Sequence, residues 1–230
     1  MKQVSCGGSN TFFLTSDGEL LGCGIGEYGR LGTGSTSDAT VPTPLDALVN
    51  ETITQVSAGH SHALALTAEG KFFSWGRNDM GQLGHADSYM DIYSMEGLPR
   101  VVESAALTGR TVCKVSAGNG RSLCVTTDGD LFVWGKGLSH VPTLIDRALF
   151  GGMRVVQAFC AGDVSYACTA VLTEDGALWT MGNAKSRLLG FKGASGRQLT
   201  PHKIEMPWGK NIVRYVGVGM SRHMAAIVEI

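Results

Sequence analysis

His60 and His62 stand two residues apart, the spacing at which a β-strand offers two imidazoles as metal ligands. No further ligand cluster stands at metal spacing around them. The six cysteines (Cys6, Cys23, Cys113, Cys124, Cys160 and Cys168) contain no C-x-x-C pair. No metal is therefore expected. Gly24-x-Gly26-x-x-Gly29 spells the dinucleotide fingerprint, which has meaning only between a strand and a helix in a βαβ unit. No Gly-Lys-Ser or Gly-Lys-Thr loop, G-x-S-x-G elbow or Ser/His/Asp arrangement is present. Asp17, Glu69, Asp128 and Asp175 resemble an acidic quartet, but paired-carboxylate chemistry needs two such groups within about 5–10 Å. These four lie in separate turns of the chain. The sequence predicts no catalytic residue, no cofactor and no bond-making chemistry.

The elements that carry these residues repeat. Val4-Ser5-Cys6-Gly7, Val56-Ser57-Ala58-Gly59, Val115-Ser116-Ala117-Gly118, Phe159-Cys160-Ala161-Gly162 and Val216-Gly217-Val218-Gly219 are five copies of one phrase, their glycines 52, 59, 44 and 57 residues apart. An acid–glycine pair follows at 11 residues in the first three copies and at 14 in the fourth, an apparent insertion of three. Six residues on come Gly24, Gly76, Gly135 and Gly182. Leu31-Gly32, Leu83-Gly84 and Leu189-Gly190 then recur, and the third copy lacks this piece. Acid–glycine between two short apolar runs is a hairpin signal, because glycine accepts the positive φ of the reversal. No stretch shows 3.6-residue periodicity over ten residues or more, and Pro44 to Val49 is the nearest approach.

Four short strands per unit at a 40–60-residue period predict an all-β chain: a β-propeller, or part of one, of about four to five four-stranded blades. Residues 1–230 read as a single repeat domain with units at approximately 4–55, 56–114, 115–158 and 159–215 and a half-unit at 216–230. The two terminal halves complete one composite blade of a five-bladed ring, or leave an open arc, or mark the chain as a piece of a longer propeller. Trp75 and Trp134 are expected in the core. Cys6 takes the slot of Ala58, Cys124 that of Ala65, Cys160 that of Ser57, and Cys23 that of Trp75, so these four are expected as buried fillers.

Net charge is −1, from 19 basic and 20 acidic side chains, with no basic tail. Duplex nucleic acid needs a concentrated positive footprint, and none is visible in the sequence. No apolar run reaches the ~18–20 residues of a membrane-spanning helix. Ser5, Gly7, Gly8, Ser9 and Asn10 interrupt any apolar leader, so residence in the cytoplasm or nucleus is the expectation.

The second copy, Val56 to Gly84, carries His62, Leu66, Thr67, Gly70, Trp75-Gly76, Asn78 and Gly81-Gln82-Leu83-Gly84. In that order it resembles the repeat of the regulator of chromosome condensation family. The resemblance implies a propeller, usually of seven blades. It also implies either guanine-nucleotide exchange on a small Ran-type GTPase or service as a protein-interaction module. The same resemblance makes His62 a structural histidine bonded within its blade.

Equivalent loops of a propeller share one face. The variable loops after each first glycine therefore bring together His60, His62, Asn119, Arg121, Asp163, Arg222 and His223 as candidate partner-binding residues. The expected partner is another protein, a small GTPase being the alternative implied by the family. The stretch Ala86 to Leu98 is the one candidate protrusion.

Overall fold

A computed structural model describes residues 1–87, 91–161, 167–184, 189–191, 193 and 195–205, together with the backbone of two strands at 212–218 and 224–229. Among these residues there are eighteen strands, and the only helices are 3-10 turns of three or four residues. The chain is all-β, as its periodicity requires.

The strands form four antiparallel sheets of four, here called blades one to four. Blade one holds β1 (Gln3–Cys6), β2 (Asn10–Leu14), β3 (Leu20–Gly24) and β4 (Ala39–Pro44). Blade two holds β5 (Ile53–Ala58), β6 (His62–Thr67), β7 (Phe72–Arg77) and β8 (Met95–Val101). Blade three holds β9 (Val112–Ala117), β10 (Arg121–Thr126), β11 (Leu131–Gly135) and β12 (Thr143–Ile145). Blade four holds β13 (Val155–Ala161), β14 (Cys168–Thr173), β15 (Leu178–Asn183) and β16 (Arg197–Lys203). β17 (Ile212–Val218) and β18 (Met224–Glu229) pair as a fifth, two-stranded sheet. The inner strands β1, β5, β9, β13 and β17 stand side by side in chain order, a partial propeller.

Alternate side chains of each strand face the two neighbouring blades, so the core is a series of seams. Phe12 and Leu14 of blade one meet Ile53, Val56 and Trp75 of blade two, with Phe12 edge-on to Trp75 at 5.5 Å. Phe72 and Leu64 meet Phe132 and Trp134 at the next seam, and Leu123, Leu131 and Phe150 meet Val171 and Met181 at the third. Trp75 and Trp134 are fully buried.

Polar clamps register the inner strands. The Gln3 amide donates to Val56 O at 2.8 Å and accepts from Val56 N at 3.0 Å, and Gln55 treats Val115 in the same way at 3.1 Å twice. Ser5, Ser57 and Ser116 hydroxyls accept from the backbone N–H of Ala58, Ala117 and Cys160. Adjacent inner strands are thus held by side chains where no ladder joins them. The outer strands close each sheet, β8 receiving Gly34 N of blade one at Gly97 O, and each carries or adjoins a proline: Pro42 and Pro44, Pro99, Pro142 and Pro201. A residue without N–H disfavours edge-to-edge pairing with another chain.

Three sequence expectations change, and the reading of Gly24 to Gly29 as a repeat phrase outside any βαβ unit holds. Thr169 pairs with Cys160, as Ser122 pairs with Ala117, so Cys160 holds the Ala slot and not the Ser slot. The fourth copy therefore slips by one residue, its loop gains four residues and not three, and Gln157 falls in the slot of Gln3 and Gln55. Cys6 is exposed and Cys23 half-buried, although Cys124 and Cys160 are buried. Both depart from expectation for one reason: their slots face the preceding blade, and blade one has a described neighbour only on the β5 side. Of the stretch from Ala86 to Leu98, residues 95–98 belong to β8, and exposed Ile92 and Tyr93 mark what projects. Finally, Gly24 to Gly29 ends a strand and enters a 3-10 turn, Glu27–Gly29, that packs on β8. A Cβ on Gly29 would lie 2.6 Å from the Gly97 Cα.

The indole N–H of Trp75 donates to Arg30 O at 3.1 Å across the first seam. Trp75→Phe should cost about 2–4 kcal/mol, from the lost volume and the orphaned carbonyl, read as a lower urea midpoint at unchanged slope.

Candidate functional site

The loops after the inner strands share one face, and a common backbone frame builds them. Ile25 N donates to Ser9 O, Arg77 N to Ser61 O, Lys136 N to Gly120 O and Asn183 N to Ala167 O, each at 2.7–2.9 Å. Successive blades are laced by Gly8 N to Gly59 O and His60 N to Gly118 O. On this constant frame the side chains differ: Gly8, exposed His60 and nearly buried Asn119 at one slot, Ile25, Arg77 and Lys136 at another.

One slot behind, the side chains turn inward. Asn10, His62, Arg121 and Cys168 open the second strand of each blade, paired with Gly24, Gly76, Gly135 and Gly182, and all four are buried. His62 has no exposed surface. Its Nε2 lies 2.9 Å from Ser122 Oγ, whose proton goes to Gln82 O at 2.7 Å. A carbonyl can only accept, so Nε2 carries the hydrogen and donates to Ser122 Oγ. The Trp134 indole donates to the same Gln82 carbonyl at 2.9 Å. His62 is thus structural, but its bond crosses from β6 to β10 of the next blade and is not internal to its own.

His85, outside the sequence candidates, repeats the logic. Ser74 Oγ donates to Leu83 O at 2.7 Å, so His85 Nε2–H donates to Ser74 Oγ at 3.0 Å. Burial pushes His62 down to about 3 and His85 down to about 4, so both rings are neutral near pH 7.

His60 is the outward histidine of the pair, and its ring lies across the Gly8 backbone, where a Cβ would collide with Nδ1. Partial burial, then Arg30 and Arg77, lower its pKa. Those two guanidinium groups flank the Tyr28 ring, Arg77 at 4.5 Å and Arg30 at 5.7 Å from its centroid. Tyr28 has φ +61°, the only non-glycine residue with positive φ among those described. Arg30 bonds Glu27 at 3.0 Å and Arg77 bonds Asp79 at 2.7 Å. Asn119 is nearly buried beside Arg121, whose Nε donates to Lys136 O at 2.9 Å.

The structure brings His60, His62, Asn119 and Arg121 onto neighbouring loops of this face. It shows His60 outward, His62 and Arg121 inward. Asp163, Arg222 and His223 lie outside the described residues. Sequence reasoning missed Tyr28, Arg30 and Arg77. Arg77 follows the recurrent Gly76, so its slot was readable from the repeat; nothing in the spacing marked Tyr28. Among the described residues no three His, Cys, Asp or Glu side chains converge as metal ligands. No helix among them is long and apolar enough to cross a membrane.

A β-propeller of four-stranded repeats, with variable loops on a constant frame, is the class these features define. Two family models described as the regulator of chromosome condensation (RCC1) repeat match the chain, one at residues 17–66 and 69–125, the other at 1–30, 53–82 and 112–139. The chain belongs to the RCC1 repeat family. It is 38% identical over 223 residues to the human E3 ubiquitin-protein ligase HERC2, covering 90% of this chain and 4% of that protein. It is 35% identical over 212 residues to the ultraviolet-B receptor UVR8 of Arabidopsis thaliana, covering 88% of this chain and 46% of that one. The chain thus spans less than half of either relative. Among solved structures, human WBSCR16 superposes with a TM-score of 0.86 at 27% identity, covering 99% of this chain and 57% of that one. Prp20p of Saccharomyces cerevisiae, studied for its binding to Gsp1p and histones, superposes at 0.80 with 18% identity, over 97% and 55% of the two chains. At that identity the likeness is one of fold.

Both buried histidines have folded pKa values below the ordinary 6.5, so the unfolded chain takes up protons between about pH 6.5 and 4 that the folded chain refuses. Stability should therefore fall with acidity through that window, by up to about 1.4 kcal/mol per pH unit for each histidine. Urea midpoints at pH 7.5 and 5 measure it. His62→Gln should flatten the dependence.

Proposed function

We propose that this chain is a protein-interaction module that docks a partner on the face carrying the loops at 7–10, 59–62 and 118–121. The observation that carries the reading is the pairing of an invariant frame with changing outward groups. Four identical backbone bonds fix where each loop stands, while Gly8, His60 and Asn119 or Ile25, Arg77 and Lys136 give each blade its own chemistry. Such a face is preorganised, so little ordering is lost on binding. His60 and Asn119 are the contacts assigned from the original set. His62 holds the frame from behind, Arg121 lies recessed beside Lys136 O, and Asp163, Arg222 and His223 are proposed for the continuation of the same face.

Nucleotide exchange on a small GTPase is the finer alternative within the family. Exchange would need this face to prefer the nucleotide-free form of the GTPase, and no group on it is singled out for that task. Regulatory or scaffold binding is the reading we adopt, with residence in the cytoplasm or nucleus.

Charge reversal separates the faces. With a partner recovered by affinity capture and purified, Arg77→Glu and His60→Glu should each weaken binding at least tenfold. Glu69→Lys, on a turn of the opposite face, should leave it unchanged. Equal binding by all variants would overturn the docking face. Fluorescent-nucleotide release from a panel of small GTPases should show no acceleration at micromolar protein, and acceleration would restore the exchange reading.

A further inference from the structure

Blade three differs from its neighbours where blade three meets blade four. Seventeen residues (78–94) join the third and fourth strands of blade two and fourteen (25–38) those of blade one, but only seven (136–142) join β11 to β12. In blades one and two that connection lies over the seam to the next blade and accepts its indole N–H, at Arg30 O and Gln82 O. Over the third seam the shorter connection lays only Leu138 against the core, and Met181 stands in place of the tryptophan.

Two arginines occupy the opening. Arg121 is 5% exposed, and its Nε donates to the carbonyl of Lys136. Arg197, exposed at the start of β16, reaches back from blade four and donates to the same carbonyl through Nη2 at 3.3 Å. The approach requires a bare backbone: a Cβ on Gly137 would collide with the Arg197 guanidinium. Among the described residues neither arginine pairs with a carboxylate, although Arg30, Arg77, Arg100, Arg110 and Arg147 each do. Among the described residues the ionisable neighbours of Arg121 are the Cys160 and Cys168 thiols and Arg197 itself. Burial pushes Cys160 up to about 12 and Cys168 up to about 11, so neither thiol supplies a negative charge. A single carbonyl is poor compensation for two guanidinium groups, one of them desolvated.

We infer that the thinly covered seam between blades three and four is an anion-binding subsite, in which Arg121 and Arg197 take the carboxylate side chains of an acidic peptide segment of a protein partner. This deepens the docking-face reading and rests on it. Guanidinium forks match carboxylates bidentately, and the recessed position of Arg121 favours a charged pair over an exposed one. Arg121 sets the floor of the subsite and Arg197 its movable rim. The balanced charge of the whole chain conceals such a pair, because the described acids form their ion pairs with other arginines and lysines.

The test is fluorescence anisotropy of the 230-residue chain with a fluorescein-labelled deca-glutamate peptide, with deca-glutamine as control. Deca-glutamate should bind and deca-glutamine should not, and 0.5 M salt should weaken the complex at least tenfold. Arg197→Ala, on the surface, should lose at least tenfold in affinity at an unchanged melting temperature. Arg121→Lys keeps the buried charge and should lose less than Arg121→Gln. Equal affinity for both peptides, or an unaffected Arg197→Ala, overturns the proposal. Binding that appears only in Asp163→Asn would assign the arginines to an internal carboxylate and overturn it too. If Arg77→Glu still blocks the protein partner while deca-glutamate fails to bind, this subsite falls and the docking face stands.

Discussion

The propeller depends on one recurring transaction: a donor of one blade must find a carbonyl in the loop of the blade before it. Trp75 finds Arg30 O, and Trp134 and Ser122 both find Gln82 O. An indole N–H buried without a partner costs on the order of 1–3 kcal/mol, comparable to much of a seam's net contribution. Loop and tryptophan are therefore coupled across the seam, although they belong to different blades. Where blade three has lost its loop, blade four carries methionine, which fills space and asks for no acceptor. The same coupling sets the histidines. His62 must donate through Nε2, because the hydroxyl it meets is already committed to Gln82, and burial keeps the ring neutral.

Much of this architecture was legible from spacing. Acid–glycine turns and the third-strand glycines have a backbone reason that survives in every copy, and the bulky residue before the glycine survives in three of four, so blade count and strand order followed. The errors came where one copy slipped. Phe159-Cys160-Ala161-Gly162 mimics the phrase, yet the pairing of Cys160 with Thr169 moves everything by one residue. A strand alternates with period two, so a one-residue slip exchanges the two faces and turns a presumed clamp position into a core position. The bulge at Val156 recurs at Thr54 and Cys113, so it does not set the slip; the longer connection from β13 to β14 takes up the residue, and Gln157, three residues before Cys160 as Gln55 is before Ala58, was the signal of the true register. Cys6 and Cys23 failed for another reason: burial belongs to a seam, and a slot facing no described blade stays open.

The candidate site was harder to read because its two halves obey different rules. The slot of Asn10, His62, Arg121 and Cys168 looks functional on residue type, yet each of these side chains is buried. The outward slot holds glycine, histidine and asparagine, which announce nothing. Topology alone separates them, through the pairing of the inward slot with a glycine of β3, β7, β11 or β15. Tyr28 gathers Arg30 and Arg77 around its ring from a left-handed backbone that the surrounding turn enforces. No propensity rule would have placed a tyrosine there.

The coupling of loop to tryptophan also bears on how such chains change over time. A blade looks like the natural cassette for duplication or loss, since it is one sheet and one run of sequence. Its loop serves the blade after it, however, and its tryptophan answers to the blade before. Copying or deleting a blade at sheet boundaries breaks two agreements at once. The heritable module is the junction, half of one blade and half of the next. The shortened loop of blade three and Met181 of blade four then record a single event, written in two places 40-odd residues apart.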